Sequence, residues 1–261
     1  MRLRARPRRS NAAIAKTAEK SWLCGLCVLC VLFVSACGST STLFRQYEYE
    51  EEVYLSLDGS ATVYVNTSLA ALNALRGTSF DASPGARVDT AAVRAHYSSP
   101  VTRVVRVSQS RRSNRRFVHI RLDVDDITKL ADVAPFAWSK YQFHRDGGLF
   151  VYRQTVGAAA GNDVGSAGWN GSEIVAFRLH LPSKIRYHNT KRGVGRGNIL
   201  VWEQSLAERL RSAPVVLDAR MDSQSILYTT LWLFGTTFLL VAGVFGAVIW
   251  WVMRRGRKAI G

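Results

Sequence analysis

Two clusters of basic residues could bind an anionic partner. The first runs from Arg111 to Arg116 (RRSNRR), and the second, from Lys191 to Gly197 (KRGVGRG), is rich in glycine. Guanidinium groups form charge-assisted, often bidentate hydrogen bonds with phosphate and carboxylate oxygens, and glycine-rich loops can turn backbone amides toward an anion. The candidate ligand-binding residues are the basic members of both clusters: Arg111, Arg112, Arg115, Arg116, Lys191, Arg192 and Arg196. The alternative is that each cluster is only a solvated turn.

The sequence offers little support for catalysis. Its five histidines are scattered, so we expect no metal site, and the glycine spacings match neither a P-loop nor a dinucleotide fingerprint, so we expect no cofactor. Glu203 with Glu208, or Asp123 with Asp125, could act as acid and base, but nothing forces either pair into one pocket. We therefore predict a non-catalytic protein. The alternative is a hydrolase or transferase that uses carboxylates.

All four cysteines lie within the first 37 residues, so the middle of the chain can form no disulfide of its own. Cys24, Cys27 and Cys30 stand in an apolar run without histidine or acidic neighbours, which favours hydrophobic filler over a metal or redox site. Cys37 follows Val34-Ser35-Ala36 at the end of that run. Cys37 is therefore the candidate cysteine for a covalent modification.

The segment before Cys37 has the layout of a secretory signal. Residues 1–20 are basic, and residues 22–36 form an apolar run that is too short to span a bilayer comfortably. Its end resembles the lipobox of bacterial lipoproteins. This resemblance implies diacylglyceryl transfer to the Cys37 thiol, cleavage before Cys37 and acylation of the new N-terminus. The alternative is an uncleaved signal anchor with an incidental cysteine.

Residues 226–252 contain no charged residue. As a helix of roughly 1.5 Å per residue they would extend about 40 Å, enough to cross a hydrocarbon core of about 30 Å. Trp250 and Trp251 stand at one end, where an aromatic belt is expected, and four basic residues follow, so the positive-inside rule puts the C-terminus in the cytoplasm. The alternative is a buried core helix, which would be shorter and have a polar face. We predict a transmembrane helix with the preceding domain outside the cell.

The formal charge of +16 invites a nucleic-acid interpretation, but its distribution argues against one. Residues 1–37 carry seven basic and one acidic residue, and four basic residues follow the apolar segment, so much of the charge serves membrane topology. The linker at residues 38–45 extends at most about 3.3–3.6 Å per residue, which keeps the domain near the bilayer. The predicted organisation is a signal peptide (1–36), a lipidated cysteine and linker (37–45), an extracytoplasmic domain (46–221), a transmembrane helix (226–252) and a cytoplasmic basic tail (253–261).

The domain itself shows paired stretches that alternate apolar and polar residues, separated by turns and short helices. Asp58-Gly59 predicts a hairpin turn, Thr67 or Ser68 can cap a short helix that stops at Gly77, and Asp89 can cap a helix that Pro100 breaks. Further pairs are predicted at 101–108 with 116–124, 136–144 with 149–156, and 174–181 with 184–189. We therefore predict an α+β domain with a mainly antiparallel sheet. Glu50, Glu51 and Glu52 are interpreted as a solvated strand edge.

The whole plan resembles the LppM-type lipoproteins, a family of bacterial envelope lipoproteins with a C-terminal transmembrane helix. The resemblance is carried by the lipobox and by residues 197–221 (GNILVWEQSLAERLRSAPVVLDARM), which lead into the apolar segment. It implies an envelope protein that handles lipids or glycolipids, without established catalysis. We expect the cytoplasmic membrane as location and anionic lipids, glycolipids, cell-wall polymers or another membrane protein as partners, but no nucleic acid. Ala242 with Gly246 is a small pair four residues apart that would permit helix dimerisation.

Overall fold

The computed structural model describes residues 45–258, which fold into ten strands, three short α-helices, two 3₁₀ helices and one long helix. The strands are β1 Gln46–Leu55, β2 Ala61–Ser68, β3 Thr102–Arg112, β4 Arg115–Val124, β5 Ser139–Asp146, β6 Leu149–Val156, β7 Glu173–His180, β8 Ser183–His188, β9 Ile199–Ser205 and β10 Val215–Ser225. The α-helices are α1 Leu69–Arg76, α2 Thr90–Tyr97, α3 Leu206–Leu210 and α4 Ile226–Lys258, and the 3₁₀ helices are Ile127–Asp132 and Ala134–Phe136. The signal peptide and Cys37 lie outside the described residues.

The strands form two sheets. Sheet A has six strands in the order β3-β4-β2-β1-β7-β9, and sheet B has four in the order β5-β6-β10-β8. Strands β1 and β7 are parallel, and the other neighbouring pairs are antiparallel. The predicted α+β class with mainly antiparallel sheets is therefore confirmed.

The core joins the two sheets. A single cluster of buried apolar side chains includes Val53 and Phe177 of sheet A together with Tyr152 and Leu217 of sheet B. Strands such as β1, β2 and β4 contribute alternate residues to this cluster, because successive side chains of a strand point to opposite faces. The apolar periodicity of the sequence thus sets which face of each sheet is buried.

The short helices begin and end where their cap residues stand. The Ser68 hydroxyl accepts a hydrogen bond from the Ala71 amide at the start of α1, and Gly77 ends the helix with a φ of 72°. The Asp89 carboxylate accepts from two amides at the start of α2, and Ser205 forms a capping box with Glu208 at α3. These contacts satisfy amides that a helix leaves without an internal partner.

One predicted hairpin is wrong. The sequence predicted that residues 174–181 would pair with residues 184–189, but β7 belongs to sheet A and β8 to sheet B. Pro182 separates the two strands, and proline cannot donate to a strand ladder. The Leu181 amide instead donates to the Asn198 carbonyl, and the chain crosses from one sheet to the other at this point.

Helix α4 continues directly from strand β10. The Ile226 amide donates to the Pro182 carbonyl at 3.1 Å, so the first residue of the helix is held at the β7–β8 crossover. Residues 226–255 are long and apolar enough to cross a membrane, and their most apolar window has no buried residue. We call the end of the sheets at which α4 begins the proximal end and the opposite end the distal end.

The strand registers decide which loops lie at each end. His180, two residues before Pro182, pairs with Tyr54, so the C-terminal end of β1 is proximal and Gln46 is distal. Along the antiparallel neighbours, Asp123 pairs with Thr62 near the proximal end, and β4 runs from there back to Arg115 at its distal tip. Eight residues at roughly 3.3 Å each place this tip about 26 Å from Asp123.

Candidate functional site

The first basic cluster forms the tip of the β3–β4 hairpin. The sequence predicted a polar turn over residues 109–115, but both strands extend further, and the turn consists of Ser113 and Asn114 at φ values of 49° and 59°. Positive φ at both turn residues is typical of a two-residue type I′ turn. Arg111 pairs with Arg116, and Arg112 pairs with Arg115. The four arginines therefore lie on strands, and their environments differ.

Arg111 and Arg112 are exposed. Arg111 Nη2 donates to the Asn114 side chain across the turn. Arg112 Nη2 donates to the Tyr47 carbonyl at 2.6 Å, and its guanidinium lies 4.5 Å from the centre of the Phe117 ring. Both side chains are held in place by contacts on one side and leave donors facing solvent, as an anion-binding group requires.

Arg115 differs from the sequence interpretation because it is buried. It is 7% exposed and forms a 3.1 Å ion pair with Glu48, whose side chain is fully buried. Its Nη1 atom donates to the Gly168 carbonyl at 2.7 Å, and the Trp169 indole donates to the other oxygen of Glu48. Burial raises the pKa of Glu48, and hydrogen bonding and the Arg115 charge oppose this shift. Arg115 is thus a structural residue that fixes the 157–171 loop to the hairpin.

A polar cleft of about 630 Å³ lies beside the tip. Arg115 and Arg116 line one side, residues 78–84 line another, and residues 162–164 of the long glycine-rich loop close it. The composition of this loop, residues 157–171 (GAAAGNDVGSAGWNG), by itself predicts a flexible surface segment. The structure instead fastens it to α1 through hydrogen bonds from the Ala160 and Gly161 amides to carbonyls of that helix. The hairpin tip and the cleft together form what we call the distal basic site.

The second basic cluster lies at the opposite edge of sheet A. Lys191, Arg192 and Arg196 are exposed, and Arg192 forms a 3.1 Å ion pair with Glu203. Strands β3 and β9 are five strand positions apart, which at roughly 4.8 Å each separates the clusters by about 24 Å along the sheet. The Gly195 amide donates to Ile199, at the proximal start of β9. The structure therefore does not bring the two clusters into one patch.

The candidate carboxylate pairs each border a cleft. Glu203 and Glu208 line one of about 560 Å³, and Asp123 and Asp125 line one of about 380 Å³. Three of these carboxylates already have structural partners. Glu203 binds Arg192 and the Tyr47 hydroxyl, Glu208 belongs to the capping box of α3, and Asp123 binds Arg103 at 2.7 Å.

The acidic run at residues 50–52 is not the solvated edge that the sequence suggested. Glu51 is 1% exposed and lies between the sheets, where it accepts hydrogen bonds from the hydroxyls of Tyr49 and Tyr141 and from the Gln154 amide. Burial raises the pKa of Glu51, while these hydrogen bonds and the Arg76 charge lower it. Glu50 pairs with Arg178 at 2.7 Å, and Glu52 binds His180.

The sequence did contain a signal for one of these residues. Glu51 stands in phase with Tyr49, Val53 and Leu55, which are all buried, so strict alternation places it on the core face. Glu48 is out of phase with them. A register irregularity between Tyr47 and Tyr49 buries two consecutive residues, and nothing in the local sequence predicts it.

No protein-family model and no curated protein matches this chain. Among solved structures, the chain is similar to the NMR structure of the folded domain of Mycobacterium tuberculosis LppM, with 12% identity over 71% of this chain and 95% of that chain and a TM-score of 0.38. A likeness at this level does not establish a shared function, and the lipobox lies outside the described residues.

Proposed function

We propose that this chain is a membrane-anchored, non-catalytic binding module of the bacterial envelope, and that its hairpin tip binds the anionic headgroups of lipids or glycolipids. Helix α4 supports the membrane anchor, because its large apolar side chains between Ile226 and Met253 are exposed. A water-soluble domain would not leave a continuous apolar surface of this size exposed. The proposal places the two-sheet domain on the extracytoplasmic side of the cytoplasmic membrane and the basic tail inside.

The observation that carries the proposal is the position of the exposed arginines. Arg112 donates to the carbonyl of Tyr47, the second residue of β1. The tip therefore lies beside the point where the chain leaves the domain toward Cys37. An acyl anchor on Cys37 would bring the exposed guanidinium groups close to the lipid headgroups, where each basic group contributes about 1 kcal/mol of attraction to an anionic surface.

The length of the linker supports the same orientation. Gln46 lies at the distal end, about 26 Å along β1 from Tyr54 at roughly 3.3 Å per residue. Nine residue steps separate Cys37 from Gln46 and can extend at most about 32 Å. An upright domain anchored at both ends would hold this linker almost fully extended, which costs conformational entropy. A domain that leans toward the bilayer relieves the extension and presents the tip to the headgroups.

The alternative of a carboxylate hydrolase or transferase has weaker support. A general acid needs a pKa raised toward neutrality in a cleft that substrate can enter. The carboxyl groups with raised pKa values here are Glu48 and Glu51, and both are buried against protein side chains. Three of the four candidate carboxylates that line clefts, Glu203, Glu208 and Asp123, serve in a helix cap or as ion-pair partners instead.

The test is binding of the domain without its anchors, residues 46–225, to sedimenting vesicles. We expect binding to vesicles rich in phosphatidylglycerol, weaker binding to phosphatidylcholine, and release at high salt, because exposed charges are screened. The double variant Arg111→Ser/Arg112→Ser should lose most of this binding. The double variant Arg103→Ser/Arg106→Ser is the matched control, since it also removes two positive charges, from exposed positions nearer the proximal end of the same strand.

Binding that does not change with salt or with the double variant would contradict the proposal. Binding lost equally in the Arg103→Ser/Arg106→Ser control would show that net charge, and not the tip, is responsible. If the domain does not bind lipid vesicles but binds an anionic cell-wall polymer through the tip, the ligand of the tip is that polymer and not a lipid headgroup.

A further inference from the structure

Two arginines that are not among the basic residues of the distal basic site lie against one tryptophan ring. The guanidinium carbon of Arg76, the last residue of α1, is 3.8 Å from the centre of the Trp138 ring, and that of Arg209 in α3 is 5.5 Å from it. These distances limit the separation of the two guanidinium carbons to about 9 Å. Burial and the nearby Arg76 charge lower the pKa of Arg209. Two like charges are therefore held close together beside an aromatic face.

Both guanidinium groups have buried donors without an acceptor. Arg209 is 0% exposed, and only its Nη2 atom has a partner, the Gly157 carbonyl, while Nε and Nη1 have none among the described residues. Arg76 Nε and Nη2 and Trp138 Nε1 are buried and unpartnered as well. An unsatisfied buried donor costs about 1–3 kcal/mol, and more when it is charged. Five unpartnered donors around one ring indicate that something accepts from them.

The neighbouring charges do not supply the acceptor. Neither arginine forms an ion pair within the part of the chain that the structure describes. Glu51 is the carboxylate whose pKa the Arg76 charge affects, but its oxygens accept from Tyr49, Tyr141 and Gln154. The cluster therefore keeps at least one uncompensated positive charge in a buried position, which is costly unless an anion neutralises it.

We propose that Arg76 and Arg209 bind a small phosphate-like oxyanion beside Trp138. A tetrahedral oxyanion has several acceptor oxygens and can take bonds from two guanidinium groups, and the Trp138 N–H can supply a further donor. The ion joins α1, α3 and the residue before β5, three elements that are distant in the sequence. This site is independent of the hairpin tip, so its test is separate from that of the proposed function.

The experiment measures the thermal unfolding of the full chain in a maltoside detergent without charged headgroups, with inorganic phosphate or sulfate replacing chloride at constant ionic strength. A ligand that binds only the native state raises its stability by mass action, so phosphate at about a hundredfold its dissociation constant should raise the unfolding temperature by about 5–10 °C. Phosphate and sulfate also stabilise proteins non-specifically. The comparison is therefore between the wild type and Arg209→Met, in which only the non-specific rise should remain.

The control is Arg211→Met, which removes an exposed arginine next to α3 and should respond to phosphate as the wild type does. The variant Arg209→Lys keeps the charge but loses the planar fork, and it should bind phosphate at least about tenfold more weakly. If Arg209→Met does not fold, Arg209→Lys takes its place in the comparison with the wild type. A second experiment adds soluble dihexanoyl phosphatidylglycerol in place of phosphate. If this lipid raises the unfolding temperature of the wild type but not that of Arg209→Lys, the site binds a lipid headgroup instead of a free ion.

Equal responses of the wild type and Arg209→Met, or of the wild type and Arg209→Lys, would overturn the proposal. So would a wild-type unfolding temperature that is the same in phosphate, sulfate and chloride, since bound water would then be sufficient to satisfy the donors.

Discussion

Replacement of the buried Glu51 tests the account of the core most directly. In Glu51→Leu, the hydroxyls of Tyr49 and Tyr141 and the Gln154 amide lose their acceptor, which lies 2.9–3.1 Å away in the native protein. At about 1–3 kcal/mol for each buried donor left unsatisfied, less the desolvation that the carboxyl no longer costs, we expect a loss of about 3 kcal/mol. For a domain of this size, that corresponds to a fall in unfolding temperature of about 6–12 °C.

The variant Glu51→Gln separates shape from charge. It keeps an oxygen that can accept from Tyr141 and Gln154, so we expect a loss of about 1 kcal/mol or less at neutral pH. Burial raises the pKa of Glu51 above its ordinary value of 4.5, so the native state binds its proton more tightly than the unfolded chain does. The stability contributed by this proton is fully present below pH 4.5 and is lost as pH rises through the native pKa. This part of the pH dependence should disappear in Glu51→Gln.

Urea unfolding of the 46–225 domain, monitored by circular dichroism between about pH 4 and pH 8, measures the stability lost in Glu51→Leu and the pH dependence lost in Glu51→Gln. The control is Glu50→Gln, on the opposite face of the same strand. Loss of its partly exposed ion pair with Arg178 should lower the free energy of unfolding by less than about 1 kcal/mol. If Glu51→Leu is as stable as the wild type, or if Glu51→Gln has the same pH profile as the wild type, Glu51 does not organise the space between the sheets.

Three further predictions follow from single contacts. Arg115→Met leaves Glu48 buried without its cation and should lower the free energy of unfolding by about 3–5 kcal/mol, measurable by urea denaturation. Gly77→Ala should cost about 1 kcal/mol or more in the same assay, because Gly77 has a φ of 72° and a side chain there would lie 3.3 Å from Ala160. Cys37→Ala should abolish incorporation of labelled palmitate in cells; label retained by this variant would refute the lipobox interpretation.

Most of the individual elements could be predicted from the sequence. Strand β6 has the predicted bounds, α1 is capped by Ser68, one of the two predicted caps, and stops at Gly77, and α4 begins at Ile226 as the loss of charge predicts. Such features depend on neighbours within a few residues, namely on side-chain alternation, cap hydrogen bonds and turn conformation. The same reasoning predicted the α+β class.

The candidate site was predicted less well, because burial depends on contacts between distant segments. Arg115 belongs to an exposed-looking run of six residues, yet it reaches Glu48 in another strand and Gly168 in a loop. Arg209 looks like an ordinary polar residue of a short helix, and it is fully buried beside Trp138. Residue type alone cannot distinguish these arginines from the exposed Arg111.

The sequence by itself determined most of the strands, several turns and helix ends, and an apolar segment long enough for a membrane, since each of these is set by residues close together along the chain. Only the tertiary structure decided that β7 and β8 enter different sheets at Pro182, that the two basic clusters lie on opposite edges of sheet A, and that Glu51 lies between the sheets. The reason is that strand pairing and sheet packing join residues far apart in the sequence, and the free energy of those contacts depends on the whole fold.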